Sequence, residues 1–127
     1  MAKTKVRIVE MGLRDGLQNE KVSVSVEDRL RLTTSLVAAG FRELEIGAFV
    51  SAKWVPQMAG TKELIQQILV AQGSKKLPQD LRLSALVPNE QGMRDAVAAG
   101  LPEVAVFTAA SESFTKANIN CTIEESF

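Results

Sequence analysis

Charged and polar side chains of types that bind anions and cations stand together near the start of the chain. Arg14 and Asp15 lie between two glycines, and Gln18 follows, all within Glu10–Lys21. The preceding apolar run predicts a short buried strand over Val6–Glu10. Dense polar groups where a strand ends, with glycines that let the backbone turn, are costly in a core and are typical of the mouth of a site.

Each of these side chains could take part in chemistry or could have an ordinary structural or surface role. Asp15 could bind Mg²⁺ or Mn²⁺ through a hard oxygen, or it could only hydrogen-bond its own turn. The planar guanidinium of Arg14 could stabilise a developing oxyanion, or Arg14 could be a surface arginine.

Glu45 is the most informative acid, because it lies in the middle of a second predicted strand, Glu43–Gly47. Side chains alternate along a strand, so Glu45 faces away from Leu44 and Ile46. If those two face helices, Glu45 lies inside, where a carboxylate needs a partner such as Arg14 or metal-bound water. The alternative is a glutamate on an edge strand in water.

Three lysines also follow predicted strands and could together hold phosphates of a ligand: Lys21, Lys53 and Lys116. Solvated lysines are the alternative. The chain has no histidine, which excludes histidine catalysis and histidine metal ligands within these 127 residues. Cys121 therefore has no histidine to activate it, and we interpret it as structural.

The elements that must position these residues alternate between strands and helices. Two further strands are predicted at Leu81–Leu86 and Glu103–Phe107. Three helices are predicted: residues 26–39, a second that begins with Thr61 as its cap and ends at about Ala71, and Glu90–Ala99. Thr108–Phe127 is predicted to be a polar loop in which a helix starts near Ile123. The segment Leu36–Leu44 resembles Ala96–Val104, each being a helix end, a glycine and a strand start.

This alternation predicts the α/β class with parallel strands, either as a doubly wound sheet or as a (β/α)₈ TIM barrel. The barrel is favoured, because polar residues follow every strand and a barrel gathers those loops around one mouth. These residues are Arg14 and Asp15, Ser51 and Lys53, Asn89, and Ser111 and Glu112. No G-x-G-x-x-G pattern follows the first strand. Four units are half of eight, so we expect a fragment of a longer chain or a half-barrel that pairs with another copy.

The amino-acid composition limits the classes of binding partner and the cellular compartment. Lysine plus arginine equal the acids, 15 against 15, so no basic field indicates nucleic acid or a membrane surface. One cysteine cannot form an internal disulfide, and Met1–Lys5 lacks the apolar run of a signal peptide. We therefore expect a cytoplasmic protein.

Three runs resemble the 3-hydroxy-3-methylglutaryl-CoA (HMG-CoA) lyase family. They are Met11–Lys21, Phe49–Met58 and most of Ala109–Phe127. The Arg-Asp-Gly-x-Gln core is shared with isopropylmalate and homocitrate synthases and with carboxyltransferase domains. The extension Asn-Glu-Lys and the runs Lys-Trp-Val-Pro-Gln-Met and Asn-Ile-Asn-Cys are more specific to the lyases.

The resemblance implies a retro-Claisen cleavage of HMG-CoA to acetyl-CoA and acetoacetate, with a divalent metal, Mg²⁺ or Mn²⁺, holding substrate oxygens. It implies that Asp15 binds the metal, that Arg14 stabilises the enolate oxygen and that Glu45 orients the reacting groups. Residues that would contact the substrate or its CoA portion are Arg14, Gln18, Lys21 and Asn118. We expect residues 1–127 to form the N-terminal half of one barrel domain, in a homodimer.

Two departures from the family pattern matter. The family's His-x-His metal ligands and its catalytic cysteine have no counterpart here, so the 127 residues alone should be inactive. Ile46, Gly47 and Ala48 stand where hydroxyl residues are usual. Two other functions stay open: a related synthase that condenses acetyl-CoA with a 2-oxo acid, and a non-catalytic half-barrel that serves as a binding module.

Overall fold

The protein, seen in a computed structural model that describes residues 4–127, is a three-stranded parallel sheet with helical connections. The strands are β1 (Glu43–Ala48), β2 (Arg82–Leu86) and β3 (Glu103–Ala105), in the order β1-β2-β3. The helices are α1 (Val26–Ala38), α2 (Thr61–Gly73), α3 (Glu90–Ala99) and α4 (Glu112–Ile119). α2 links β1 to β2 and α3 links β2 to β3, which confirms the predicted parallel units.

The predicted first strand, Val6–Glu10, is wrong as a buried strand. Only Glu10 pairs with β1, through a parallel bridge to Leu44, and the Glu10 N–H donates to the Glu43 carbonyl at 2.9 Å. Val6 and Ile8 are 81% and 65% exposed. Within residues 4–127 no strand flanks the other side of this segment, so its apolar side chains have nothing to pack against.

The ends of α1 and α3 follow the local signals in the sequence. The Ser25 side chain accepts a hydrogen bond from the Asp28 N–H at the start of α1, as an N-cap does. Gly40 and Gly100 have φ of +105° and +76° just after α1 and α3, a conformation that favours glycine. The two similar sequence segments thus build the same corner from helix to strand.

Two other predictions are wrong. Thr61 does not cap α2: Gly60 is the N-cap, and the Thr61 hydroxyl donates to the Met58 carbonyl at 2.7 Å. The predicted loop after Thr108 instead contains α4, because Ser111 caps it by accepting from the Phe114 N–H. Near Ile123 there is only a short 3₁₀ turn, Glu124–Ser126.

The main core lies between one face of the sheet and the helices. Leu44, Ile46 and Leu83 on the strands and Leu64, Ile65 and Ile68 on α2 are at most 1% exposed and form one cluster. In residues 4–127 no helix is both long and apolar enough to cross a bilayer.

The other face of the sheet carries what we call the charge ladder: Arg7, Glu43, Arg82 and Glu103. Arg7 binds Glu43 at 2.5 Å, and Arg82 binds Glu103 at 2.7 Å. The Arg7 hydrogen bond lowers the pKa of the Glu43 carboxyl group. The ladder ties the weakly paired Val6–Glu10 segment to β1 and covers the end of the sheet where the strands begin.

Candidate active site

Glu45 lies on the interior face of β1, and its partner is the predicted one. Its carboxylate Oε1 accepts from Arg14 Nε at 2.6 Å, and the two side chains are only 8% and 15% exposed. Leu44 and Ile46 are buried on the opposite face, as strand alternation requires. The alternative of a solvated edge glutamate is therefore excluded.

Arg14 reaches Glu45 from a short π-helical turn, Gly12–Gly16. The Met11 carbonyl accepts from the N–H groups of Arg14, Asp15 and Gly16, at 3.1, 2.8 and 3.3 Å. Leu13 anchors the turn in the core with no exposed surface. Such turns are rare and occur often at functional sites, because they redirect side chains.

The same guanidinium also holds Asp15. Arg14 Nη1 donates to Asp15 Oδ1 at 3.1 Å, while the Asp15 side chain is 62% exposed. Arg14 therefore bridges a buried carboxylate and a solvent-facing carboxylate. This arrangement brings together the three residues that the sequence assigned to chemistry.

Glu10 belongs to the same site, although the sequence analysis assigned it no role. Its two carboxylate oxygens each lie 3.0 Å from the Gly12 N–H that donates to them. A side-chain carbon on Gly12 would stand 3.0 Å from the nearer of those oxygens. The carboxylate therefore caps the start of the turn, and its position two residues before the glycine was the available signal.

The residues predicted to bind the ligand do not all lie together with Arg14, Asp15 and Glu45. Gln18 follows the turn, and its side-chain oxygen is buried without a hydrogen-bond partner in residues 4–127. Lys21 is exposed. Asn118 lies on α4, where its amide donates to the Phe114 carbonyl of the same helix at 2.8 Å. The structure thus joins Arg14, Asp15 and Glu45 in one contact network and leaves Lys21 and Asn118 on the surface.

Two polar residues expected at the mouth have structural roles instead. Asn89 and Ser111 both follow strands, but both cap helices: Asn89 accepts from the Gly92 N–H at 2.9 Å and Ser111 from the Phe114 N–H at 3.1 Å. Asn89 and Ser51 also line an open cleft beside the N-terminal ends of α2 and α3. Arg14, Asp15 and Glu45 do not line that cleft.

A metal would find a single candidate ligand in this site. Residues 4–127 contain no group of three cysteine, aspartate or glutamate side chains placed to hold an ion. Asp15 has an exposed carboxylate, a hard oxygen donor of the kind that Mg²⁺ and Mn²⁺ accept. It fits as one ligand of a larger set and not as a complete metal site.

Comparison with known proteins decides the family. The profile of the HMGL-like family matches residues 5–127. The chain belongs to the HMGL-like family. The predicted fold class is also confirmed: these parallel strand–helix units are part of a (β/α)₈ barrel, as in the solved structures to which the chain is similar.

Individual relatives agree with this assignment. A Pseudomonas aeruginosa protein named 3-hydroxy-3-isohexenylglutaryl-CoA/hydroxy-methylglutaryl-CoA lyase is 50% identical over 122 residues, which are 96% of this chain and 38% of that protein. The human mitochondrial hydroxymethylglutaryl-CoA lyase is 50% identical over 97% of this chain and 36% of its own length. The chain thus spans little more than a third of either relative.

The structural matches have the same extent. The crystal structure of the lyase from Pseudomonas aeruginosa aligns with a TM-score of 0.81 at 50% identity, over 96% of this chain and 38% of that chain. An HMG-CoA lyase from Acinetobacter baumannii in complex with coenzyme A and 3-methylmalate aligns with a TM-score of 0.84 at 30% identity, over 94% and 37%.

Proposed function

We propose that this chain supplies part of the active site of a metal-dependent lyase that cleaves HMG-CoA to acetyl-CoA and acetoacetate. The observation that carries the proposal is the bridge from Glu45 through Arg14 to Asp15. It presents a fixed cation and an exposed carboxylate at the end of a barrel strand, where barrel enzymes place their chemistry. The names of the relatives support the same reaction.

Arg14 would stabilise the enolate oxygen that forms as the carbon–carbon bond breaks. A guanidinium has five N–H donors, and the Nε and Nη1 contacts use two of them, which leaves three for a substrate oxygen. Because Glu45 and Asp15 fix the guanidinium before substrate binds, little reorganisation is needed when charge develops. Glu45, shielded from water, would orient the group that removes the substrate's hydroxyl proton.

Asp15 would contribute one oxygen ligand to a divalent cation, Mg²⁺ or Mn²⁺, with the other ligands supplied from outside this chain. When bound, such an ion polarises the oxygens of its substrate. The remaining ligand-binding roles are also proposals: Gln18, Lys21 and Asn118 would contact the substrate or its CoA portion. The side-chain oxygen of Gln18, which is buried and has no hydrogen-bond partner among the residues that the structure describes, supports a role in accepting a hydrogen bond from a ligand.

The test uses the complete natural protein, treated with chelator and then given Mg²⁺ or Mn²⁺, with release of acetoacetate as the measurement. We expect activity with either metal, and a loss of roughly 10²–10³-fold in kcat for Arg14→Lys. A lysine ammonium group is a compact charge without the planar fork of arginine, so it cannot hold both carboxylates in this geometry and still present three donors to a substrate oxygen. Arg31→Lys is the matched control, since Arg31 is an exposed arginine of α1. A wild-type protein that releases no acetoacetate would contradict the lyase proposal.

The same preparation separates the alternatives. Condensation of acetyl-CoA with a 2-oxo acid, without cleavage, would indicate a synthase. Because the Pseudomonas aeruginosa relative is also named for an isohexenyl substrate, both CoA thioesters should be compared. The isolated 127-residue chain should be inactive, and CoA binding without turnover by the complete protein would indicate a binding module.

The ligand, the oligomeric state and the cellular compartment are also proposals. The complex of the Acinetobacter relative with coenzyme A supports a CoA thioester as the ligand. A higher KM in the Lys21→Ala variant would support the predicted contact between Lys21 and the CoA portion of the substrate. We propose a homodimer, as the family resemblance implies, and we propose a cytoplasmic location because the sequence contains a single cysteine. Relatives include both cytoplasmic and mitochondrial proteins, so cell fractionation and light scattering are the deciding measurements.

A further inference from the structure

Arg29 is a buried arginine that has no acidic partner among residues 4–127. It lies on α1, has no exposed surface, and is the largest fully buried side chain in residues 4–127. Its Nη1 donates to the Ala59 carbonyl at 2.8 Å and its Nη2 to the Ile46 carbonyl at 3.1 Å, while Nε finds no hydrogen-bond partner in the described part of the chain. Burial lowers the pKa of this guanidinium. Burying a charge in this way is costly, so a purely apolar side chain would serve the core better.

The two carbonyl groups show what the charge holds in place. Ile46 follows Glu45 directly, in the stretch of β1 where the pairing with β2 shifts register between Glu45 and Ala48. Ala59 lies at the end of the loop that follows β1, just before α2. Arg29 therefore fastens both ends of one segment, Ile46–Ala59, to helix α1.

The surrounding residues are shaped to admit the guanidinium. A side-chain carbon on Gly47 would stand 2.5 Å from the Thr61 hydroxyl and 3.0 Å from Arg29 Nη2. Thr61 Oγ1 lies 3.5 Å from Nη2 while it donates to the Met58 carbonyl. Only glycine at position 47 allows the strand, α1 and the start of α2 to approach so closely.

The fastened segment also contacts the turn that carries Arg14. Within the segment, the Gln57 side chain donates to the Glu20 carbonyl at 2.8 Å, in the loop after that turn. Movement of Ile46–Ala59 would thus affect Glu45 at one end and the Arg14 loop at the other.

We propose that Arg29 is a positioning residue for the Glu45–Arg14 pair, acting through the Ile46 and Ala59 carbonyl groups. The inference rests on the proposed function for its kinetic consequences and on geometry alone for its structural ones. Replacing Arg29 should loosen the segment and misplace Glu45 and Arg14, while leaving Asn118 on α4 in place. A misplacement of about 1 Å can reduce a rate by roughly a hundredfold.

The test compares Arg29→Met and Arg29→Lys in the complete natural protein. Arg29→Met keeps the length of the side chain without its hydrogen bonds, and Arg29→Lys keeps the charge but reaches fewer acceptors. We expect a kcat loss of roughly ten- to a hundredfold for Arg29→Met with KM changed little. A smaller loss is expected for Arg29→Lys, together with faster amide hydrogen exchange across residues 48–60 in both variants. Arg31→Met, at an exposed position of the same helix, should change neither quantity.

Measuring both kcat and amide hydrogen exchange distinguishes failure of the proposed function from failure of the positioning role of Arg29. If the wild-type protein cleaves nothing, the proposed function fails, and the exchange measurement still tests Arg29. Unchanged kcat or unchanged exchange in a folded Arg29→Met would overturn the inference. If Arg29→Met does not fold, Arg29→Lys decides: wild-type exchange and kcat in that variant refute the positioning role, and a loss in both supports it.

Discussion

Replacement of Gly47 by alanine should destabilise the protein through a specific collision. The added carbon would meet Thr61 Oγ1 at 2.5 Å and Thr61 Cγ2 at 2.8 Å, both well inside contact distance, and Arg29 Nη2 at 3.0 Å. These atoms belong to a side chain at the start of α2 and to a buried guanidinium, so neither can move into solvent. Overpacking of this kind typically costs about 1–3 kcal/mol, and we expect a value in the upper half of that range.

The matched control is Gly73→Ala. Gly73 is the last residue of α2, and a side-chain carbon there would have no atom within 4 Å. Alanine is the better helix former by about 1 kcal/mol in a helix interior, so this variant should be neutral or slightly more stable. The measurement is urea unfolding followed by far-ultraviolet circular dichroism, since Trp54 is 81% exposed and its fluorescence would report little.

A double variant tests the reasoning itself. Thr61→Ala removes the two nearest atoms, so Gly47→Ala should cost less free energy of unfolding in that background than in the wild type. We expect a coupling of about 1 kcal/mol, within the range seen for residues in contact. Additive costs, or a Gly47→Ala protein as stable as the wild type, would refute the proposed collision.

Three further outcomes are expected. The pKa of Glu43 is lowered in the folded state, so its pairing with Arg7 stabilises the protein at pH values above the ordinary carboxyl pKa of about 4.5. This stabilisation is lost as the pH falls through the lowered pKa. In urea titrations, the difference in free energy of unfolding between the wild type and Glu43→Gln should therefore shrink over that pH range. Ser111→Ala should remove the α4 cap at a cost of about 1 kcal/mol, visible as faster amide exchange in α4. Gly100→Ala should lower stability by about 1 kcal/mol in the same urea assay, because φ is +76°.

The sequence predicted the local features well where a residue's own neighbours in the chain decide them. Strand alternation placed Glu45 inside, and the glycines at 40 and 100 ended their helices as expected. The prediction of a buried strand over Val6–Glu10 failed because burial depends on neighbouring elements that cover the segment, and its own sequence does not specify them. Helix α4 was missed because its apolar pattern is weak and its cap, Ser111, was interpreted as a residue of the site mouth.

Arg29 was missed for a different reason. The apolar residues of α1 that recur at helical spacing are Leu30, Leu32 or Thr33, Leu36 and Val37, and the sequence analysis gave Arg29 no role. In the structure the fully buried positions are Arg29, Thr33 and Val37, four residues apart, with Leu30 and Leu36 half-buried. Helical periodicity gives the width of a buried face only approximately. The groups that accept hydrogen bonds from Arg29 are the carbonyl groups of Ile46 and Ala59, which are distant from it in the sequence.

The charge ladder has a consequence for how the chain assembles. Charges alternate from Arg7 through Glu43 and Arg82 to Glu103, in the spatial order of the segments that carry them. A misfolded sheet in which β3 displaced β2 would bring Glu103 against Glu43, and repulsion between like charges on neighbouring strands disfavours such a pairing. The native strand order thereby has a small electrostatic advantage, because a sheet with exchanged strands would carry a repulsion that the native order avoids. Acidic solution would weaken this discrimination, because it neutralises the glutamates that distinguish one order from another.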